Sequence, residues 1–264
     1  ALKGVLSEES RFERGAAALR LGAEAAVERL HVRRADRVLA TSAHSARRIA
    51  EDYGVPPDRI RIVPEPIDLS RWTAALETGR PAGRGRPSVL CVAHLYPRKN
   101  VGTLLEAFAR CGSDATLRIV GTGPEAAVLG RRAALPDLAG RVELLGHVSF
   151  DALAEEYRNA DVFCLPSRQE GFGIVFLEAM AAGLPIVAGR AAAVPELVLD
   201  GECGVLVPPD DAEALSAALG RLLSDRELGK RLGERGRRLV QAYDAPLIAS
   251  RFVEALDLAG RAPG

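Results

Sequence analysis

A chain of 264 residues with 48% hydrophobic side chains is long enough to bury a sizeable core and to form more than one domain. Its 35 basic and 35 acidic residues cancel to zero net charge, which argues against a nucleic-acid partner held by phosphate neutralisation. No run approaches the roughly 18 apolar residues of a membrane span, and no stretch reads as a signal peptide.

In chain order, a long helix comes first, its apolar residues Phe12, Ala16, Leu19, Ala23, Ala26 and Leu30 recurring at three- and four-residue steps. Glu8, Glu9, Glu13, Glu24 and Glu28 interleave with its arginines, so it reads as a solvated face rather than a lipid-binding one, with His31 and His44 as surface residues. A strand at Val38–Thr41, a helix to about Tyr53 and a strand at Ile60–Val63 follow. Two strands cannot make a doubly wound domain. Residues 1–68 are therefore expected to be the end of a first domain whose front is absent, closed by Val63-Pro64-Glu65-Pro66-Ile67-Asp68, which two prolines stiffen.

From Pro87 onward strand and helix alternate: strands at Val89–Ala93, Thr116–Val120, Val142–Leu145, Val162–Leu165, Pro185–Ala188 and Gly204–Val207. The intervening helices fall near Val101–Cys111, Glu125–Ala134, Phe150–Asn159 and Gly173–Ala182, with two more near Ala212–Leu223 and Asp225–Gln241. Near-continuous apolar strand runs in this order predict an α/β, doubly wound parallel sheet over residues 69–242. Residues 243–264 read as a last helix that packs back on the first domain. Cys91, Cys111, Cys164 and Cys203 lack Cys-x-x-Cys spacing and read as free thiols in a reducing cytosol rather than a metal site.

Ligands of such sheets lie at the carboxyl ends of the strands, and four loops place chemistry there. Lys99 follows the first strand, Gly121-Thr122-Gly123-Pro124 the second, Gly146-His147-Val148 the third and Glu170 the fourth. Seven residues separate Glu170 from Glu178, across a strand-turn-helix junction at which the first helix amides are unpaired and the dipole is positive. Gly171, Phe172 and Gly173 can bring N–H groups to a phosphate there. Glu178 sits among apolar Phe176, Leu177, Ala179 and Met180, either capping or pairing with an arginine at the rim of a core helix, or accepting hydrogen bonds from a ribose diol. Taken alone, Arg98 and Lys99 read as a solvated pair ahead of a helix. The glycine pair is common turn chemistry in its own right.

Pro166-Ser167, Glu170-Gly171-Phe172-Gly173 and Glu178-Ala179-Met180-Ala181-Ala182-Gly183-Leu184-Pro185 together resemble the donor-binding signature of the group 1, family 4-like retaining glycosyltransferases of GT-B fold. The turn at residues 63–68 resembles the family's interdomain hinge, with Glu65-Pro66 in place of its usual Asn-Gly. Cys91-Val92-Ala93-His94-Leu95-Tyr96-Pro97-Arg98-Lys99-Asn100 resembles the segment in which an arginine and a lysine clamp the donor diphosphate. Lys99 fits the lysine position, whereas His94 stands at the arginine position, so that His94 is protonated by bound phosphates, Arg98 takes over, or the site is weakened.

The resemblance implies transfer of a sugar from a UDP- or GDP-sugar with retention, and neither metal nor cofactor. Lys99, catalytic together with Glu170, would hold the diphosphate with Arg98 and the amides of Gly171 to Gly173, continuing into Ile174 and Val175. Glu178 would hold the ribose and Glu170, the catalytic carboxylate, the transferred sugar. Gly121, Gly123 and Val148 would line the nucleotide. The acceptor, a glycan, lipid or small molecule, is left open. The site of action implied is the cytoplasm, including peripheral contact with the inner face of the membrane. A nucleotide-sugar-binding module without turnover and a non-hydrolysing nucleotide-sugar epimerase stand as alternatives.

Overall fold

The computed structural model describes residues 5–13, 15–77 and 85–260, with side chains to residue 256. The elements run α1 (Leu6–Glu9), α2 (Gly15–Arg34), β1 (Val38–Ala40), α3 (Ala43–Tyr53), β2 (Ile60–Ile62) and α4 (Leu69–Leu76). Then come β3 (Ser88–Val92), α5 (Val101–Arg110), β4 (Thr116–Val120), α6 (Ala126–Ala133), β5 (Val142–Gly146), α7 (Phe150–Asn159), β6 (Val162–Leu165) and α8 (Ile174–Ala182). The chain ends with β7 (Ile186–Gly189), α9 (Val194–Leu197), β8 (Gly204–Val207), α10 (Ala212–Ser224), α11 (Arg226–Leu239) and α12 (Ala245–Gly260).

All six predicted strands of the second half form, pairing in parallel in the order β5-β4-β3-β6-β7-β8. Counted from β3 this is 3-2-1-4-5-6, the doubly wound order, and its direction reverses between β3 and β6. Every residue of β3, β6 and β7 is buried, as strands covered by helices on both faces require. The crevice above the carboxyl ends of β3 and β6 is thereby fixed as the place where two loops must diverge.

Ahead of this sheet, β1 and β2 form a two-stranded parallel pair. Val32, Val38, Ile49, Tyr53 and Ile60 pack into a small core of their own. Leu39 and Val63 pack instead with Ile248 and Ala255 of α12, so the last helix returns to the first unit. Two chain crossings join the units side by side: the Ile67 amide donates to Tyr243 O at 2.9 Å and the Ala245 amide to Ile67 O at 2.9 Å.

Two expectations need correction. The stripe Ala16, Leu19, Ala23, Ala26 and Leu30 on α2 is exposed, Leu19 at 78%, because the helix packs through Ala25 and Val32, with the Tyr53 hydroxyl donating to Glu28. Glu8 and Glu9 lie on the separate turn α1 rather than on the long helix. Helices α4 and α9 had no forerunner in the pattern. Trp72 of α4 is 5% exposed and sits edge-on to Phe150 and Tyr157, at 5.1 and 5.4 Å.

Gly121, with φ 131°, is pressed so closely on the next loop that a Cβ there would lie 1.8 Å from Ala93 O. Gly121→Ala should destabilise the chain by about 2–3 kcal/mol, read as a lower urea midpoint at unchanged slope, because both the backbone angle and the loop must give way. A parent-like midpoint would mean that the β3 loop yields without cost.

Candidate functional site

The loop after β3 turns through a single 3-10 turn, Pro97–Lys99, and Asn100 stops it in the left-handed region at φ 58°. Asn100 is 4% exposed and spends its amide on the neighbouring loops, Nδ2 donating to Pro209 O at 2.6 Å and to Pro166 O at 3.3 Å. The Arg168 amide donates to Arg98 O at 2.8 Å. The loops after β3, β6 and β8 are thus tied into one rim, and Lys99 is held over the switch point.

Glu170 meets it from β6. Lys99 Nζ donates to Oε1 at 2.7 Å and Oε2 at 2.8 Å, and Ser167 Oγ donates to Oε1 at 2.7 Å. Glu170 is 5% exposed and Ser167 fully buried, so this is a desolvated, three-membered polar cluster rather than a surface pair. Beside it Gly173 takes φ 95° and opens α8, where a Cβ would strike the Phe176 ring at 2.7 Å. Among the described residues the amide N–H groups of Gly171 through Val175 find no acceptor, so the positive end of α8 faces the cation-carboxylate cluster with these donors unspent.

Glu178 lies one turn further in. Tyr157 Oη donates to its Oε2 at 2.8 Å. Burial pushes the Glu178 carboxyl up and the tyrosine hydrogen bond partly offsets this. Tyr157 itself, fully buried and stacked on Phe163 at 5.8 Å, is pushed well above the ordinary phenol range by burial and then by Glu178, so it remains a donor. The arginine-capped alternative for Glu178 gives way to a tyrosine-held carboxylate.

The other predicted residues scatter more widely around the rim. Arg98 lies over the Tyr96 ring at 5.1 Å and pairs with Glu9 at 3.5 Å. His94 is exposed, its ring tilted toward Tyr96 at 6.4 Å. Gly121 and Gly123 back onto the main chain of Ala93 and Leu95, shaping the β3 loop from behind. Val148 is half-buried against the core beyond β5, Ile174 is exposed at the mouth, and Val175 gives its carbonyl to Tyr157 Oη at 3.3 Å. His44 is not a free surface residue: Glu8 Oε1 is 2.9 Å from its Nε2, in the seam between the two units.

Asn100, Ser167, Tyr157 and Glu196 were not assigned roles by sequence. Only Asn100 carried a local signal, a left-handed-tolerant residue directly ahead of a helix. A cavity of about 800 Å³ opens at the opposite edge of the sheet, lined by Pro87, Pro185, Arg158 and Arg237 among others, and none of the predicted donor residues lines it. Among the described residues no three His, Cys, Asp or Glu side chains are grouped to hold a metal ion, and all four cysteines are free and buried. No helix among the described residues is long and apolar enough to cross a membrane.

A 3-2-1-4-5-6 parallel sheet with a lysine, a buried carboxylate and a helix amino terminus at its switch point defines a doubly wound α/β protein whose charged cluster sits where the strand order reverses. The sequence model for "Glycosyl transferases group 1" matches residues 79–239, and that for "Glycosyltransferase Family 4" residues 7–71. The chain belongs to the group 1 glycosyltransferases and has their α/β GT-B fold.

It is 35% identical over 222 residues to the GDP-mannose-dependent alpha-(1-6)-phosphatidylinositol monomannoside mannosyltransferase of Mycolicibacterium smegmatis, covering 77% of this chain and 57% of that protein. To the D-inositol 3-phosphate glycosyltransferase of Geodermatophilus obscurus it is 39% identical over 213 residues, 75% of this chain and 47% of that one. The chain spans about half the length of the curated relatives it matches. HepE of Anabaena, solved with UDP and glucose, shares the fold with a TM-score of 0.81 at 24% identity, over 97% of this chain and 70% of that one.

Proposed function

We propose that the chain binds the donor of a retaining glycosyl transfer, a GDP- or UDP-sugar, in the crevice between the β3 and β6 loops. The observation that carries the reading is the Lys99–Glu170 pair set against the unspent amides at the start of α8. Lys99 and these amides hold the diphosphate and stabilise it as it leaves, with Arg98 and His94 adding positive charge from the rim. Glu178, kept in place by Tyr157, takes the ribose diol, while Glu170 faces the transferred sugar and the charge that develops on it. The Gly121–Gly123 turn and Val148 line the nucleotide. The leaving phosphate accepts the acceptor's proton, and no metal or further cofactor takes part.

A GDP-mannose-dependent relative supports a GDP-sugar, and relatives named for phosphatidylinositol mannoside and inositol 3-phosphate support an acceptor that carries an inositol phosphate. The same proposal divides the chain into an acceptor-side part at 1–68, a donor domain at 69–242 and a returning segment at 243–264. It places the reaction in the cytoplasm, up to the inner face of the membrane. One observation favours binding without turnover as a second reading: His94, exposed and uncharged when neutral, stands where the family resemblance calls for a guanidinium.

Incubation with GDP-mannose and inositol 3-phosphate or phosphatidylinositol monomannoside, followed by NMR of the products, separates the readings. An α-mannoside supports retaining transfer and a β-mannoside sinks it. A free epimer of the donor sugar indicates an epimerase, and unchanged donor despite binding indicates a binding module.

A further inference from the structure

The carbonyl of Gly171 is held from the other side of the seam. Ser42 Oγ, Ser45 Oγ and Thr41 Oγ1 approach it at 2.8, 3.1 and 3.2 Å, three hydroxyls on an oxygen with two lone pairs. All three side chains are buried, Thr41 and Ser42 at 4% and Ser45 at 1% exposure. Ser42 is also the N-cap of α3, its Oγ accepting from the Ser45 amide at 3.0 Å, and its one proton is shared between Gly171 O at 2.8 Å and Ser45 Oγ at 3.0 Å. Glu196 of α9 closes the same junction in the reverse direction: its carboxylate accepts from the Ala43 and His44 amides at 2.7 and 2.6 Å, an anion on the positive end of α3.

Preceding Gly171, the Glu170 carbonyl is fixed too, by the Ala193 amide at 3.2 Å. A trans peptide is planar, with C=O and N–H pointing opposite ways. Anchoring these two successive carbonyls therefore sets the direction of the Gly171 and Phe172 N–H groups, which have no acceptor among the described residues. Rotating the Gly171–Phe172 peptide would take one of them away from the crevice and leave Gly171 O without the hydroxyls.

We propose that Ser42, Ser45 and Glu196 are positioning residues: by docking the amino end of α3 on Gly171 O and α9, they hold the loop that carries Glu170 with its amides aimed for the donor diphosphate. This rests on the donor-site reading above. None of the three touches the donor. They act through the Gly171–Phe172 peptide, and they couple the closeness of the two units to the readiness of the site. The parts lie far apart in sequence, Ser42 and Gly171 at a separation of 129 and Ala43 and Glu196 at a separation of 153.

The test uses the double variant Ser45→Ala/Glu196→Ala and, should that fail to fold, Glu196→Ala alone, since Glu196 is an exposed side chain. In 15N-labelled protein without ligand, the Phe172 amide resonance should shift or broaden while the amides of β3 and β6 keep their positions. Calorimetry with GDP and UDP should show affinity weaker by about five- to tenfold, the effect of losing roughly one neutral hydrogen bond. An unmoved Phe172 resonance overturns the proposal whatever the nucleotide does. A moved resonance with parent-like affinity overturns it as well, because the loop's orientation would then not serve the donor. If the parent chain itself binds neither nucleotide, the donor-site reading falls and takes the positioning role with it. That failure is seen in the parent, not in the variant.

Discussion

Lys99→Met is expected to unfold at markedly lower urea concentration than the parent and to lose most of its affinity for a nucleoside diphosphate. The substitution leaves the Glu170 carboxylate buried at 5% exposure with, among the described residues, the Ser167 hydroxyl as its one remaining partner. Removing one member of a buried ion pair costs about 3–5 kcal/mol, mostly because the remaining charge is uncompensated. The same change removes a charge-assisted contact to phosphate, worth about 2–3 kcal/mol, or a roughly 30- to 150-fold rise in Kd. The double variant Lys99→Met/Glu170→Gln separates the two effects. It removes both charges, so most of the stability should return while the affinity stays low. If Lys99→Met alone unfolds like the parent, the pair is not a desolvated one. If the double variant binds like the parent, Lys99 is a structural cation and not part of a clamp.

The two glutamates are expected to fail in different ways. Glu178→Gln keeps the volume and an acceptor for Tyr157 but removes the charge offered to the ribose diol, so GDP and UDP should bind more weakly by about 1–3 kcal/mol. Glu170→Gln should leave the diphosphate affinity nearly intact and act on the intact nucleotide sugar and on turnover. Stability should move the other way at Glu178. Burial raises its folded pKa above the unfolded value, with Tyr157 opposing, so at intermediate pH the folded chain holds a proton that the unfolded chain has released. That contribution is fully present below the ordinary carboxylate range and is lost as pH rises through the folded value. Glu178→Gln should therefore melt above the parent at neutral pH, with the gap closing toward acid. A gap that is constant with pH would show that the carboxylate is not the cause.

The second, six-stranded unit was legible because its signals are local. Apolar runs such as Val162–Leu165 and Val89–Val92 announce strands buried on both faces, and the glycines at 173 and 183 bracket α8 by their left-handed geometry. Position at strand ends then brought Lys99 and Glu170 to one edge, and the structure places them in direct contact. What escaped were facts that only tertiary packing decides. The α2 stripe had the right period, yet the helix turns Ala25 and Val32 inward instead. Tyr157 reads as an ordinary aromatic on an amphipathic helix, and nothing near it in sequence says that its hydroxyl holds Glu178. His44 looked solvent-facing among arginines, but α1 folds across and covers it with Glu8. Ser42, Ser45 and Glu196 gave no sign of meeting at all.

The most direct test of the donor site is amide hydrogen exchange of the chain with and without millimolar GDP or UDP. Amides that lack a protein acceptor exchange fast, so those from Gly171 to Val175 should be unprotected in the free chain and gain protection when the diphosphate accepts their hydrogens. The Pro97–Asn100 loop should slow with them. No binding of either nucleotide, or protection that appears instead at the opposite edge of the sheet around Arg158, Gly183 and Arg237, would contradict the assignment.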